Sequence, residues 1–160
     1  VSIAARDAEG SLVGVVAAPT INSLWYAIRG GGAFHNGQKI RCTSQVSLDR
    51  ALLGTGFAYD VADRTEQIAM VAALLPRSRD IRRMGSAAVD LCHVGMGALD
   101  GYFERGLKEW DWAAGALVAT EAGAGVAHLG DLEDGARKLT VAGGPGLFQV
   151  LQDALLGLER

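Results

Sequence analysis

The sequence predicts an α/β protein of the layered α+β kind, in which part of an antiparallel sheet is followed by an α/β sheet with flanking helices. Three observations carry that prediction. Short apolar runs near the start are separated by clusters of turn-forming residues. From Ala51 onward, strand-like and helix-like stretches alternate. The 160 residues are 49% hydrophobic and 21% charged, which suits one globular domain or slightly more.

Taken in order, residues 1–6, 12–19 and 24–29 read as strands of an antiparallel meander, joined by turns at 7–10 and 20–23. A glycine triplet, Gly30-Gly31-Gly32, opens the stretch 30–40. It lacks the Lys-Ser/Thr of a phosphate-binding loop and has no helix behind it, so it reads as a tight turn needing positive φ. A strand is expected over 51–54, a loop over 55–59 and an amphipathic helix over 62–75. That helix would present Ile68, Val71, Ala72 and Leu75 on one face and end at Pro76. Residues 80–84 read as a strand carrying Arg82 and Arg83, candidates to attract phosphate, one of which is expected to pair with an acid across the sheet. Gly85 and Ser86 follow, with Ser86 at the N-cap of a helix whose apolar face holds Val89, Cys92 and Met96.

The most informative stretch is 99–123. Leu99, Gly101 and Phe103 alternate with Asp100, Tyr102 and Glu104, which marks a strand. A charged loop, 105–110, leads to a helix expected to start with Asp111 as its N-cap and to stop at Gly123. Glu104 thus ends a strand and Asp111 stands at a helix mouth. A carboxylate there either caps the free N–H groups alone or also holds a cation, and the same helix end favours a phosphate. Further strands are expected at 125–129 and 139–142 around a polar loop at 131–138. A last helix follows at 147–158, after Pro145. The chain divides into a β-rich part, 1–43, and an α/β part, 44–160.

Trp110-Asp111-Trp112-Ala113-Ala114-Gly115, continued to Glu121-Ala122-Gly123, resembles the second signature of the inositol monophosphatase family. Gly85-Ser86-Ala87, then Glu104, then Trp110-Asp111 stand in that family's order. The resemblance implies an inositol monophosphatase-like sugar phosphatase fold and a Mg²⁺-dependent, lithium-sensitive phosphomonoesterase acting on inositol-1-phosphate or a similar polyol phosphate. It implies Asp111 as a metal ligand, Glu104 as acceptor for substrate hydroxyls, and Gly85, Ser86 and Ala87 as pocket lining. No side chain is expected to be the nucleophile; a metal-activated water is. Histidinol phosphate, fructose-1,6-bisphosphate and 3′-phosphoadenosine phosphate are the alternative substrates within the family. A non-catalytic dimerisation or binding module is the alternative outside it.

The same family carries an Asp-Pro-x-Asp-Gly-Thr signature that supplies most of its metal ligands. Here the prolines are Pro19, Pro76 and Pro145, and no Asp precedes any of them. Val1 opens directly into a strand with no initiator Met, so the expectation is a fragment covering the C-terminal part, inactive alone.

Composition narrows the classes further. The net charge of −3 without a basic block argues against nucleic acid, and the absence of a long apolar run argues against a membrane span. Cys42 and Cys92 lie far apart and no Cys/His set has zinc spacing, so a reducing cytoplasmic setting is expected; a homodimer is what the family resemblance implies. His35, His93 and His128 are not expected to cluster, and His93 reads as a packing residue. Asp90, one turn past Ser86, is a candidate for facing the pocket. Lys108 is a candidate anion contact on the loop, and Trp110 and Trp112 are expected to pack and fix it.

Overall fold

A computed structural model describes residues 1–130 and 138–158. The loop expected at 131–138 lies outside them except for Lys138. Strands β1 (Ser2–Asp7), β2 (Gly10–Ala18), β3 (Ser23–Ile28), β4 (Gly32–His35) and β5 (Gln38–Lys39) form an antiparallel meander in sequence order. The second sheet has the order β7 (Asp80–Arg82), β6 (Leu52–Thr55), β8 (Gly101–Arg105), β10 (Leu139–Gly143), β9 (Gly125–Leu129). Strand β6 runs parallel to β7 and β8, whereas β10 runs antiparallel to β8 and β9.

Among the described residues four α-helices cover these sheets: α1 (Val61–Leu74), α2 (Ala87–Gly95), α3 (Glu109–Glu121) and α4 (Phe148–Leu156). The layers alternate sheet, helices, sheet, helices. Val16, Trp25 and Ala27 of the first sheet pack against Ala88, Cys92, Ala114 and Val118 of α2 and α3. The opposite sides of those helices meet Tyr102 and Ala142 of the second sheet. Helices α1 and α4 cover its far face, through Met70, Leu74, Leu151 and Leu155 against Leu53, Phe103 and Val141.

The small residues of α3 follow from this position. A helix between two sheets is apolar all round, and its neighbours approach closely only if side chains are small. An added Cβ on Gly115 would stand 2.8 Å from the Ala88 carbonyl oxygen of α2, and one on Gly14 of β2 would stand 2.8 Å from that of Ala114. The Ala-Ala-Gly run therefore admits α2 on one side and the first sheet on another.

The glycine triplet is the tight turn expected, with positive φ at Gly30 and Gly32, and it opens into a small hairpin, β4 and β5. Its left-handed glycines, Gly30 and Gly32, donate their N–H groups to the two carboxylate oxygens of Glu121, each at 2.8 Å. The turn does hold an anion, and that anion belongs to the end of α3. Several expectations are corrected. Helix α1 buries Gln67, Met70 and Leu74, while Ile68 is 58% exposed and Leu75 is exposed too. The buried stripe centres on a polar residue because Gln67 is fully used: its carbonyl accepts from Ala58 N at 2.7 Å and its amide donates to Arg105 O at 3.3 Å. Helix α3 begins at Glu109 with Lys108 as N-cap, so Asp111 is at the third helical position rather than at the cap. Arg82 pairs with Asp80 of its own strand, not across the sheet.

Candidate active site

A cavity of about 580 Å³ opens at the ends of β6 and β8 and at the N-termini of α2 and α3. Gly85, Ser86, Ala87, Glu104 and Asp111 all line it. Each reaches it for a local reason. Strand β8 carries Glu104 out of the buried Tyr102–Phe103 pair to the sheet's edge of solvent access. Gly85, at φ 92°, turns the chain from β7 into α2, and Ser86 caps that helix, its hydroxyl accepting from Val89 N at 3.5 Å. Asp111 reaches back over the first turn of α3, where its Oδ2 accepts from Lys108 N at 2.8 Å. This fixes the carboxyl at the helix mouth and leaves its second oxygen outside that bond.

Glu104 is the more constrained acid. The Tyr102 hydroxyl donates to its Oε2. Burial pushes its carboxyl above the usual range; the Tyr102 bond and the Arg83 charge oppose that, and the Asp111 charge adds to it. The Tyr102 phenol is itself pushed far up, by burial first and then by Glu104. Gly56, at the end of β6, supplies the space for the Glu104 carboxylate, since an added Cβ would collide with both its oxygens. Arg83 lies over Gly85 on the cavity wall, its Nη1 2.8 Å from where a Cβ of Gly85 would be.

Sequence reasoning missed Tyr102 and Gly56 in these roles. Tyr102 is two residues from Glu104 and so on the same side of the strand, which was the available signal. Nothing local marks Gly56, because its partner is 48 positions away, at Glu104. Trp110 lines the cavity at 74% exposure instead of packing, whereas Trp112 is partly buried against His128, with ring centroids 4.1 Å apart. His35 and His93 each pack on Trp25, with ring centroids 4.9 and 5.5 Å from it. Asp90 is buried and does not line the cavity, so its carboxyl does not face it; Lys108 also lies outside the lining.

Among the described residues no group of three or more His, Cys, Asp or Glu is placed to hold a metal ion. Asp111 suits a hard cation as one oxygen ligand, while magnesium wants six oxygens, several from water and phosphate. No helix among the described residues is long and apolar enough to cross a membrane.

Comparison with known proteins agrees on a single relationship. The profile of the inositol monophosphatase family matches residues 1–149. A protein of Mycobacterium bovis named inositol-1-monophosphatase is 43% identical over 159 residues, covering 97% of this chain and 55% of its own length. A Haemophilus influenzae protein named Nus factor SuhB is 46% identical over 124 residues, covering 77% of this chain and 46% of its own. The solved structure of Mycobacterium tuberculosis SuhB superposes with a TM-score of 0.88 at 41% identity, covering 98% of this chain and 63% of that one. The chain thus spans about half the length of the curated relatives it matches.

Proposed function

The chain belongs to the inositol monophosphatase family, and on that premise we propose that it is the C-terminal part of a Mg²⁺-dependent phosphomonoesterase acting on inositol-1-phosphate or a similar polyol phosphate. Residues 1–43 would complete its first sheet domain and 44–160 form its second, in a cytoplasmic, lithium-sensitive homodimer. The observation that carries the reading is the meeting of Glu104, Asp111 and the Ser86 helix mouth around one cavity.

Each group has work suited to its chemistry. The N–H groups at the start of α2, with the Ser86 hydroxyl and the Arg83 guanidinium, favour an anion at one wall. Glu104, oriented by Tyr102, accepts hydrogen bonds from the hydroxyls of the alcohol portion. Asp111 would hold a divalent ion as one oxygen ligand, and that ion would supply neutralisation of the phosphate charge and activation of the attacking water.

Two measurements test this. Asp111→Asn in the complete enzyme is expected to abolish Mg²⁺-dependent turnover of inositol-1-phosphate; unchanged kinetics would remove Asp111 from the site. The 160 residues alone are expected to give no turnover, and activity from them would show that the ligand set is already complete. Histidinol phosphate and fructose-1,6-bisphosphate, assayed beside inositol-1-phosphate with and without Li⁺, decide the substrate. A second reading, a protein-binding module, is favoured by the relative named as a Nus factor. Full-length protein that binds its partner undiminished with Asp111→Asn, yet hydrolyses none of these esters, would establish it.

A further inference from the structure

One acid at this end of the fold is not used by the cavity. Asp90 lies on α2, one turn past Ser86, and is 1% exposed. Its Oδ1 is buried and has no hydrogen-bond partner among the described residues. Gly54 of β6 lies against the same spot: an added Cβ there would stand 2.8 Å from Leu99 Cδ1, 3.1 Å from Tyr102 Cδ2 and, in ordinary contact, 3.7 Å from Asp90 Oδ1. The Asp90 carboxyl and the ring that orients Glu104 therefore share one space above Gly54.

The charged and titratable groups that face Asp90 are few. Strand β8 brings Tyr102 and Glu104, and the turn before α2 brings Arg83. Strand β6 brings only Gly54, while Asp111 of α3 acts on Tyr102 and Glu104. An ionised Asp90 would be a desolvated charge with one oxygen accepting nothing and a like charge nearby, both costly. A neutral acid avoids the desolvation of a charge and the repulsion.

We infer that Asp90 is a positioning residue: a protonated carboxyl packed beside Tyr102, which leaves Glu104 as the charged acid at the end of β8. Its effect on substrate rests on the phosphatase reading above; its electrostatic part does not. Burial pushes Asp90 up to about 7, with the Glu104 charge adding and Arg83 opposing. Glu104 thus ionises first, and the pair retains one proton up to neutrality. Beyond it, a second negative charge forms beside Tyr102 and repels a phosphate dianion from the cavity.

The test has two arms. In the first, side-chain carboxyl ¹³C signals of this chain are titrated, with Asp90 assigned through the backbone and by its loss in Asp90→Asn. Asp90 is expected to titrate near neutrality, and Glu104→Gln to lower its midpoint by removing the like charge. A midpoint in the ordinary carboxylate range, or one that Glu104→Gln does not move, overturns the inference. In the second arm, KM for inositol-1-phosphate is followed against pH in the complete enzyme. The wild-type KM is expected to climb through neutrality, and Asp90→Asn to keep the low KM to higher pH, with kcat less affected. Superimposable KM profiles overturn the role in substrate binding. An inactive wild type would refute the phosphatase reading instead, and the carboxyl titration would then decide the Asp90–Glu104 coupling by itself.

Discussion

Glu104 owes its position to two neighbours that do no chemistry. Tyr102 holds one carboxylate oxygen from the same strand, and Gly56 leaves the space that the carboxylate fills. Gly56→Ala would drive a methyl group into that carboxylate and displace it from the cavity. The expected result is a loss of about tenfold or more in kcat/KM for a polyol phosphate, since small displacements of a positioning group are costly. A much smaller loss on an aryl phosphate, which has no hydroxyls to be read, would tie the effect to Glu104. Glu104 and Asp111 were legible in the sequence because each ends an element whose pattern is local. Gly56 was not, because the reason for a glycine there lies on another strand.

At the scale of elements, α3 explains most of what the sequence encodes. Its N-terminus presents Asp111 to the cavity, its middle is thinned to Ala and Gly between two sheets, and its last residue, Glu121, clamps the Gly30–Gly32 turn. One helix therefore ties the first sheet to the cavity end of the fold. Gly115→Val is the sharpest test, because the added group meets the Ala88 backbone of α2 and not a flexible side chain. Overpacking of this kind costs about 1–3 kcal/mol or more, which a fall in the urea midpoint would register. A midpoint equal to wild type would mean that α2 moves away freely. The helix itself is readable from its caps and spacing, although its N-cap is Lys108, three residues before Asp111: a carboxylate that accepts at the third helical position looks in sequence like one at the cap. The buried face of α1 was misplaced for a related reason. Hydrophobic spacing favours Ile68 and Leu75, and nothing local shows that Gln67 satisfies its amide on Ala58 and Arg105.

For the whole molecule, the outer face of the first sheet stands apart from the layered interior. Ile3, Val15, Tyr26 and Phe34 are aligned across β1 to β4, with Ile3 at 63% exposure, and Ile28 in the next row at 55%. Sequence showed the alternation but not that both faces are apolar enough to be covered, a pattern ordinary for a sheet between two layers. The interior, by contrast, sets how stability depends on pH. His93 and His128 are lowered by burial, so the unfolded chain binds more protons than the folded one below about pH 6.5, and stability is lost as pH falls through that range. Asp90 has the opposite sign. Its folded carboxyl holds its proton up to about 7, above the ordinary value of 3.8, so its share of stability is present at low pH, lost as pH rises between these values, and constant above. Glu104, also raised by burial, acts in the same direction. Urea unfolding of the chain and of Asp90→Asn, followed from about pH 4.5 to about pH 8.5, separates these contributions. The variant is expected to gain on wild type steadily up to about pH 7 and then to hold a constant advantage. A difference that does not change with pH would mean that Asp90 is already ionised in the folded protein, and that the orphaned oxygen above Gly54 is tolerated as a charge.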